Sequence, residues 1–584
     1  MSVLDFVKPI PLIMAWAIVA AVGISLRRPQ IRMPRERPAP IVVVCAVGCI
    51  AIAAVTAVLA IVSPPNSADA MAYHMPRVIY WAEQASVRFF STHYLNQIML
   101  QPFAEYVSLH LYLLSGGDHL VNLIQWFASV VSVVAVSQAA AFFGANSRGQ
   151  AIAALFCATL PSGILASSGA KNDYVLAMWM VIAVCFAFRF ASTSRLIDAF
   201  FLGAACGLAM FTKGTAYVFL PLPVCAVLIA RWRPSRRSAL TGAGVVVVCA
   251  AVINAPHFVR NYELSGSVLG FDSAHADGFF RWRNETLGWK QTLSNVVRNA
   301  SEQLGARNAR WNQSVYNAAL SIHRSFGIDP NDPATTWRWT VYERPKNANH
   351  EANAPNRWHL VALLAIAAFL AWRALHGRDR DRALYAAALL VGFLAFCGYL
   401  KWQPFMSRLI LPLFVAASPM AGIFGEIRPA KAALVLQGLL CLLLLDGSRL
   451  PLTQNWVRPL HGPASVLKTP RSDQYFADMS AWQNKDSFLR SADLIARTGC
   501  DTVGIDMNNF QIEYPLIALV RERRPSARFV HTGVANPSIR YRLPVETQPC
   551  VVACLDCLED KPRRSLYQSF SKSEPFGRFV VFLK

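Results

Sequence analysis

Long apolar runs almost free of charge alternate with polar segments along most of this chain. The runs fall at about 10–26, 40–63, 119–143, 150–169, 174–190, 197–212, 214–230, 238–256, 358–373, 383–400, 409–425 and 431–447. A helix needs roughly 20 apolar residues to cross a hydrocarbon core about 30 Å thick, and these runs meet or approach that length. The pattern predicts a polytopic α-helical membrane protein with about twelve spans. It places them in residues 1–447 and leaves a polar tail at 448–584. The first run, Ile10 to Leu26, has no basic region before it and no small-residue cleavage site after it. It reads as a retained span and not as a signal peptide.

Three polar segments stand out, at 64–118, 257–357 and 448–584. In the first, Val78, Trp81, Ala82 and Ala85 predict a helix within 69–85. Pro102 opens a second helix, with Phe103, Tyr106, Val107, His110, Leu113 and Leu114 at helical spacing. Tyr80, Trp81, Phe89 and Phe90 suit a membrane interface, and His110 reads as an interfacial packing residue. The middle segment is Trp-rich, with a helix expected at about 289–307. In the tail, strands at Asp501–Asp506, Arg528–Gly533, Val551–Ala553 and Phe579–Leu583 flank a helix at Tyr514–Glu522. That order predicts a small C-terminal α/β domain.

Composition agrees. Of 584 residues 54% are hydrophobic and 15% charged, against about a quarter charged in soluble chains. The net charge of +22 is concentrated in alternate loops. One set holds Arg27, Arg28, Arg32, Arg35 and Arg37, then Arg148, then Arg189 and Arg195, then Arg231, Arg233, Arg236 and Arg237. It continues with Arg373, Arg378, Arg380 and Arg382, then Arg428 and Lys431. Basic loops stay cytoplasmic, so both termini and the three polar segments are expected on the other side. The charge therefore reports topology, and with no basic soluble domain it does not predict nucleic-acid binding.

Thirteen cysteines divide in two. Those in apolar runs read as small core residues. Cys500, Cys550, Cys554 and Cys557 lie in the tail, where an exported domain would favour disulfides or free thiols over zinc.

The candidate chemistry gathers on the side poorer in basic residues. Asp69 follows the second run and opens Asp69-Ala-Met-Ala-Tyr73-His74-Met-Pro-Arg77. It is placed to act as a base or to hold a metal, and it can also cap the helix that follows. Asp173 ends the tight turn Ser167-Ser-Gly-Ala-Lys-Asn-Asp173 on the same side. Two carboxylates converging at a membrane face can bind a divalent cation, Mg or Mn, or activate a hydroxyl. Lys213 and Arg408 supply cations for an anionic phosphate, with snorkelling at a helix end as the plain alternative. Glu105 stands in the first turn of the Pro102 helix, where a carboxylate is favoured anyway. His74 lies one residue further than a single helical turn from Asp69, so it need not share the Asp69 face. No Walker, HExxH, dinucleotide or CxxCH motif is present.

The chain resembles the GT-C fold glycosyltransferases, in particular bacterial members similar to protein O-mannosyltransferases and to the aminoarabinose transferase of lipid A. The likeness rests on Asp69 with Tyr73-His74-x-Pro76-Arg77, Gln101-Pro-Phe-Ala-Glu105 and Asp173. Gly207-Leu-Ala-Met-Phe-Thr-Lys213, Arg260-Asn261 and Arg408-Leu-Ile-Leu-Pro412 extend it, and it covers roughly 40–425. The resemblance implies a polyprenyl-phosphate-linked sugar donor, hexosyl or pentosyl. The acceptor would be an envelope lipid, glycan or protein hydroxyl outside a bacterial inner membrane, with inverting transfer. It implies Asp69 as base or metal-binding carboxylate, assisted by Asp173. Arg77, Lys213 and Arg408 would hold the donor phosphate, with Tyr73, His74 and Glu105 near the substrate. Ala70 stands where many relatives carry a second acid, which weakens the case for a metal. A transporter or lipid-linked-sugar flippase is the rival class, but it would need ionisable groups near mid-membrane.

Overall fold

The computed structural model describes residues 2, 5–26, 38–232, 235–270, 282–427, 430–478, 484–507, 511–542 and 548–584. Arg27, Arg28, Arg32, Arg35, Arg37, Arg233 and Arg428 of the basic loops lie outside the described residues.

The apolar runs become helices. They are α1 (Pro9–Leu26) and α2 (Pro40–Val62), then α3 (Met75–Glu83), α4 (Asn96–Met99) and α5 (Phe103–Ser115) of the first polar segment. The bundle continues with α6 (Leu123–Phe142), α7 (Ser147–Ala158), α8 (Pro161–Ala166), α9 (Asp173–Thr193), α10 (Leu196–Thr212), α11 (Ala216–Phe219), α12 (Pro221–Arg231) and α13 (Arg236–Ser265). After α14 (Trp289–Gln303) and α15 (Ala309–Ser325) of the middle polar segment come α16 (Arg357–Leu375), α17 (Arg380–Tyr399), α18 (Met406–Ala417) and α19 (Ala430–Thr453). The tail adds α20 (Arg471–Gln474), α21 (Lys485–Arg497), α22 (Tyr514–Arg523) and α23 (Lys561–Ser565).

Among the described residues eight helices are long and apolar enough to cross a membrane, with shorter apolar helices at Pro9–Ser25, Leu196–Thr212 and Ala216–Arg231. The chain is a multi-pass membrane protein, but the expected count of about twelve spans is not reproduced. The run at 150–169 is broken: the Thr159 hydroxyl donates back to Leu155 O at 2.7 Å, and Pro161 starts a new helix. A proline can begin a helix but cannot continue one.

Burial separates core from rim. In the apolar stretch of α9 67% of residues are buried, against 11% in α13. The apolar residues α13 shows outward, such as Val247, Val248 and Val252, suit a lipid-facing surface. Gly203 and Gly207 let α10 approach α13 closely, since a Cβ on either would lie 2.7 Å or 3.0 Å from a Cα of α13. This is the small-residue spacing that membrane helices use to pack.

The tail forms a five-stranded sheet of β1 (Thr502–Asp506), β2 (Arg528–His531), β3 (Val551–Leu555), β4 (Lys572–Phe576) and β5 (Phe579–Leu583). Its order is β2-β1-β3-β5-β4, parallel among the first three and antiparallel at β5 and β4. Strand β4 and helix α21 are not anticipated by the sequence reading. Phe488, Ala492 and Ile495 carry the signal for α21, because their spacing makes one apolar face. Disulfides join Cys500 to Cys550 and Cys554 to Cys557.

The tail does not stand apart. Phe488, Ile505 and Leu516 share one apolar core with Met71, Val78, Trp81 and Ile98 of the first polar segment. Polar ties reinforce the seam. Asp118 accepts from Arg471 at 2.7 Å and from the hydroxyls of Tyr475 at 2.7 Å and Tyr514 at 2.9 Å. The sheet domain thus braces the segment that begins at Asp69.

Candidate active site

Asp69 lies just past the end of α2, and the backbone after it makes a wider turn than an α-helix. Ala70–His74 is a π-helical turn, closed by the Met75 N–H donating to Ala70 O five residues back. Such turns often occur at functional sites. The turn ends at His74, which lowers the pKa of the Asp69 carboxyl electrostatically. Tyr73 OH also donates to Asp69 Oδ2, at 3.2 Å.

Asp69 Oδ2 accepts from Arg408 Nη1 at the start of α18. A second pair lies beside it, in which Lys213 Nζ at the end of α10 donates to Asp173 Oδ1 at the start of α9. Arg408 interacts electrostatically with both carboxylates, and Lys213 with Asp69 as well as Asp173. The four groups therefore form one cluster, as their common side predicted. Helix ends hold them: Asn172 Nδ2 ties the Asp173 turn to Thr212 O at 3.3 Å, and Gln101 lies against Gly214.

Exposure differs across the cluster in a useful way. The side chains of Asp69, Arg408 and Lys213 are 15%, 18% and 19% exposed, and that of Asp173 is 1% exposed. A ligand can reach the first three. Asp173 Oδ2 is buried with no hydrogen-bond partner, so Asp173 serves foremost as the counter-charge that holds Lys213. Burial opposes the ionisation of Asp69, but Arg408, then Lys171 and His74, outweigh it and hold the carboxyl well below its usual range. Burial pulls the Lys213 ammonium below its usual range, against the pull of Asp173.

Arg77, His74 and Glu105 form a neighbouring buried knot between α3, α4 and α5. His74 Nδ1 donates to Glu105 Oε1 at 2.5 Å, and Arg77 Nη1 lies 3.6 Å from Glu105 Oε2. Arg77 is fully buried, and burial lowers its pKa. Its other nitrogens donate to the carbonyls of Asn96 and Leu100, each at 2.9 Å, and of Gln97. With Nε and Nη2 spent on the end of α4 and Nη1 buried beside Glu105, Arg77 locks α3 to α4 and offers no open face to a phosphate. Burial opposes ionisation of Glu105, but Arg77 and His74 outweigh it and hold the carboxyl below its usual range.

A further set of charges has no signature in the sequence. Lys171 Nζ lies 2.6 Å from Glu351 Oε1, and Arg458 Nη2 lies 2.5 Å from Glu351 Oε2, all three buried. Arg458 also donates to Ser168 Oγ at 3.0 Å and to Asn66 Oδ1 at 2.9 Å. Burial opposes ionisation of Glu351, but Lys171 and Arg458 bring its pKa down to about 2. This triad pins the Asp173 turn, the loop before α16 and the tail beneath Asp69. Only long-range pairing reveals it, because no local pattern marks Glu351 or Arg458.

A divalent cation does not suit this donor set. Each carboxylate already faces a cation, and Lys171 adds a third positive charge near both. Among the described residues the group of three potential metal ligands is Asp506, Cys554 and Cys557 in the tail, away from Asp69. There Arg563 Nη2 already donates to Asp506 Oδ1 at 2.7 Å, and the two cysteines are joined.

The opposite end of the bundle carries ordinary charge pairs. Arg189 lies 2.9 Å from Asp198, and Arg382 lies 2.6 Å from Glu426 while donating to Phe143 O. The candidate groups thus sit at helix ends on one end of the bundle, whereas a transporter would hold them midway along its spans.

The family model described as dolichyl-phosphate-mannose-protein mannosyltransferase matches residues 102–259. No curated protein matches the chain. Among solved structures, ArnT from Cupriavidus metallidurans bound to undecaprenyl phosphate is similar with a TM-score of 0.52 at 14% identity, covering 92% of this chain and 97% of its own. The archaeal oligosaccharyltransferase AglB from Archaeoglobus fulgidus, in complex with an inhibitory peptide and a dolichol-phosphate, is similar with a TM-score of 0.51 at 13% identity, covering 92% and 74%. The fold is that of the GT-C glycosyltransferases. The matched family segment carries Glu105, Asp173 and Lys213, so it includes half of the two-pair cluster.

Proposed function

We propose that this chain is an integral-membrane glycosyltransferase that moves a sugar from a polyprenyl-phosphate donor to an acceptor hydroxyl, with inversion. The observation that carries the reading is the Asp69–Arg408 pair beside the Asp173–Lys213 pair, part-exposed at one end of a GT-C bundle. The family model and the lipid phosphates held by the two similar structures support it.

In this reading the donor phosphate takes over Arg408 and Lys213, and Asp69 is released from its cation. The acceptor oxygen attacks the anomeric carbon in line as Asp69 takes its proton. The bond from that carbon to the phosphate oxygen breaks, and polyprenyl phosphate leaves with the electron pair. A carboxylate base contributes roughly 10²–10⁴-fold. Cations aimed at the leaving phosphate add an effect on the order of 10²–10³-fold, and orientation at the interface adds more. Asp173 positions Lys213. Tyr73 positions Asp69, and the Arg77–Glu105–His74 knot fixes the segment that carries both. No metal takes part. The site would face the extracytoplasmic side of a bacterial inner membrane, a reading supported by the basic residues of the opposite loops. The donor sugar is a hexose or pentose, and the acceptor an envelope lipid, glycan or protein.

The test is transfer of label from a radiolabelled polyprenyl-phosphate sugar by the purified protein. Asp69→Asn should abolish it while the variant still binds the lipid phosphate. Undiminished turnover by Asp69→Asn would sink the mechanism. Label crossing proteoliposomes without bond cleavage would replace the reading with transport.

A further inference from the structure

A cavity of about 250 Å³ opens at the same end of the bundle, between the start of α16, the end of α19 and the α14–α15 loop. Arg307 and Arg357 line it together with Asn308, Trp358, Leu443 and Leu450. Asp446 is the one carboxylate in its lining. Arg307 is exposed, and among the described residues it makes neither an ion pair nor a side-chain hydrogen bond. Arg357 Nε is buried and has no hydrogen-bond partner. Its Nη1 reaches only Gly305 O, at 3.5 Å, and its guanidinium lies 4.8 Å from the Trp358 ring centre.

Two cations thus converge on a cavity that offers them one carboxylate. The wall below them is apolar and belongs to spans, since Leu443 and Leu450 lie in α19 and Trp358 opens α16. An arginine that merely snorkels turns its guanidinium to water. Arg357 instead keeps a donor buried beside a cavity. Charge at the level of the span ends above an apolar wall matches an amphiphile with an anionic head. A free anion would have no use for the wall.

We infer that this cavity binds the phosphate headgroup of an anionic membrane phospholipid, with an acyl chain along the α16–α19 wall. Guanidinium groups suit phosphate oxygens because they offer paired N–H donors in one plane. Asn308 already caps α15, so the two arginines carry the recognition. The site shares no residue with the Asp69 cluster, and the inference does not depend on the proposed reaction.

The test uses the full chain in nanodiscs of mixed phosphatidylglycerol and phosphatidylcholine, with no donor sugar present. Native mass spectrometry counts the lipid that stays bound after release. Phosphatidylglycerol should be retained over phosphatidylcholine. The Arg307→Gln/Arg357→Gln protein should retain about tenfold less of it. Arg307→Gln alone alters an exposed side chain without partners, leaves the fold intact, and should lower retention about threefold. Unchanged retention in Arg307→Gln, or equal retention of the two lipids, overturns the proposal. Displacement of phosphatidylglycerol by millimolar inorganic phosphate would also overturn it, since the site would then be one for free anions.

Discussion

Asp69 and Arg408 are 339 residues apart in the chain and meet as an ion pair where α2 ends and α18 begins. The pairing ties the first half of the bundle to the second. It also makes the proposed base and the proposed phosphate ligand each other's resting partner, so donor binding and base release are one event.

The pH dependence of transfer should expose that coupling. Arg408 is the largest influence holding the Asp69 carboxyl below its usual range, against burial. In Arg408→Gln the lowering is lost and burial dominates, so the carboxyl titrates higher. The acid limb of kcat/KM should therefore move to higher pH. The maximal rate should fall on the order of 10²–10³-fold through the lost phosphate cation. Arg408→Lys should keep the limb near its wild-type position. A limb that stays put in Arg408→Gln would show that Asp69 is not the titrating base.

The long spans were legible because an apolar run of that length has few other uses. That Asp69, Asp173, Lys213 and Arg408 gather at one end of the bundle was legible from loop charge, since basic residues mark alternate loops. Which cation pairs with which acid was not, because contact between α9 and α10, or between the Asp69 segment and α18, leaves no trace in local sequence. The π turn after Asp69 was equally hidden, because nothing in the residue pattern of Ala70–His74 distinguishes its wider turn from an α-helical one. Glu351 and Arg458 were invisible for the same reason as the pairs. Arg77 misled because a basic residue near a proposed site looks the same in sequence whether it faces a ligand or a set of carbonyls.

The Asp173–Lys213 pair should behave as a unit. Lys213→Met strands a buried carboxylate whose second oxygen has no partner, and should cost about 3–5 kcal/mol. Asp173→Asn/Lys213→Met should cost less than the sum of the single changes, because it removes both charges. Thermal unfolding in detergent reads the stability cycle, and the transfer assay should find both proteins lacking Lys213 slow. Additive stability costs would mean that the pair is not coupled.

Chelation should leave transfer unchanged. Each carboxylate of the cluster faces a cation, and Lys171 adds positive charge near both. Turnover after exhaustive dialysis against EDTA should match the untreated rate, and added Mg or Mn should not raise it. A loss of tenfold or more that Mg or Mn restores would put a metal between Asp69 and Asp173 and displace the cation assignment.

The seam between the tail and the Asp69 segment should weaken as pH rises, and Glu513 is the residue to change. Its carboxyl is buried, and burial raises its pKa to about 8 against the lowering effect of Gln97. Gln97 Nε2 donates to Glu513 Oε1 at 2.7 Å and to Ala72 O at 3.0 Å, so one side chain joins the sheet domain to the π turn. Glu83 adds to the effect: burial raises it to about 7 although it accepts from Arg521 and from Phe529 N. An unfolded glutamate titrates near pH ~4.3. The folded state therefore binds these protons more tightly, and stability falls as pH rises from about 4 to about 8. Glu513→Gln keeps an oxygen to accept from Gln97 and removes the ionisation. It should flatten the pH dependence and raise the unfolding temperature at pH 8 by a few degrees, on the order of 2–4 °C. The midpoint at pH 5, where the carboxyl is already protonated, should hardly move. Equal gains at both pH values would mean that the substitution acts through packing and not through the proton.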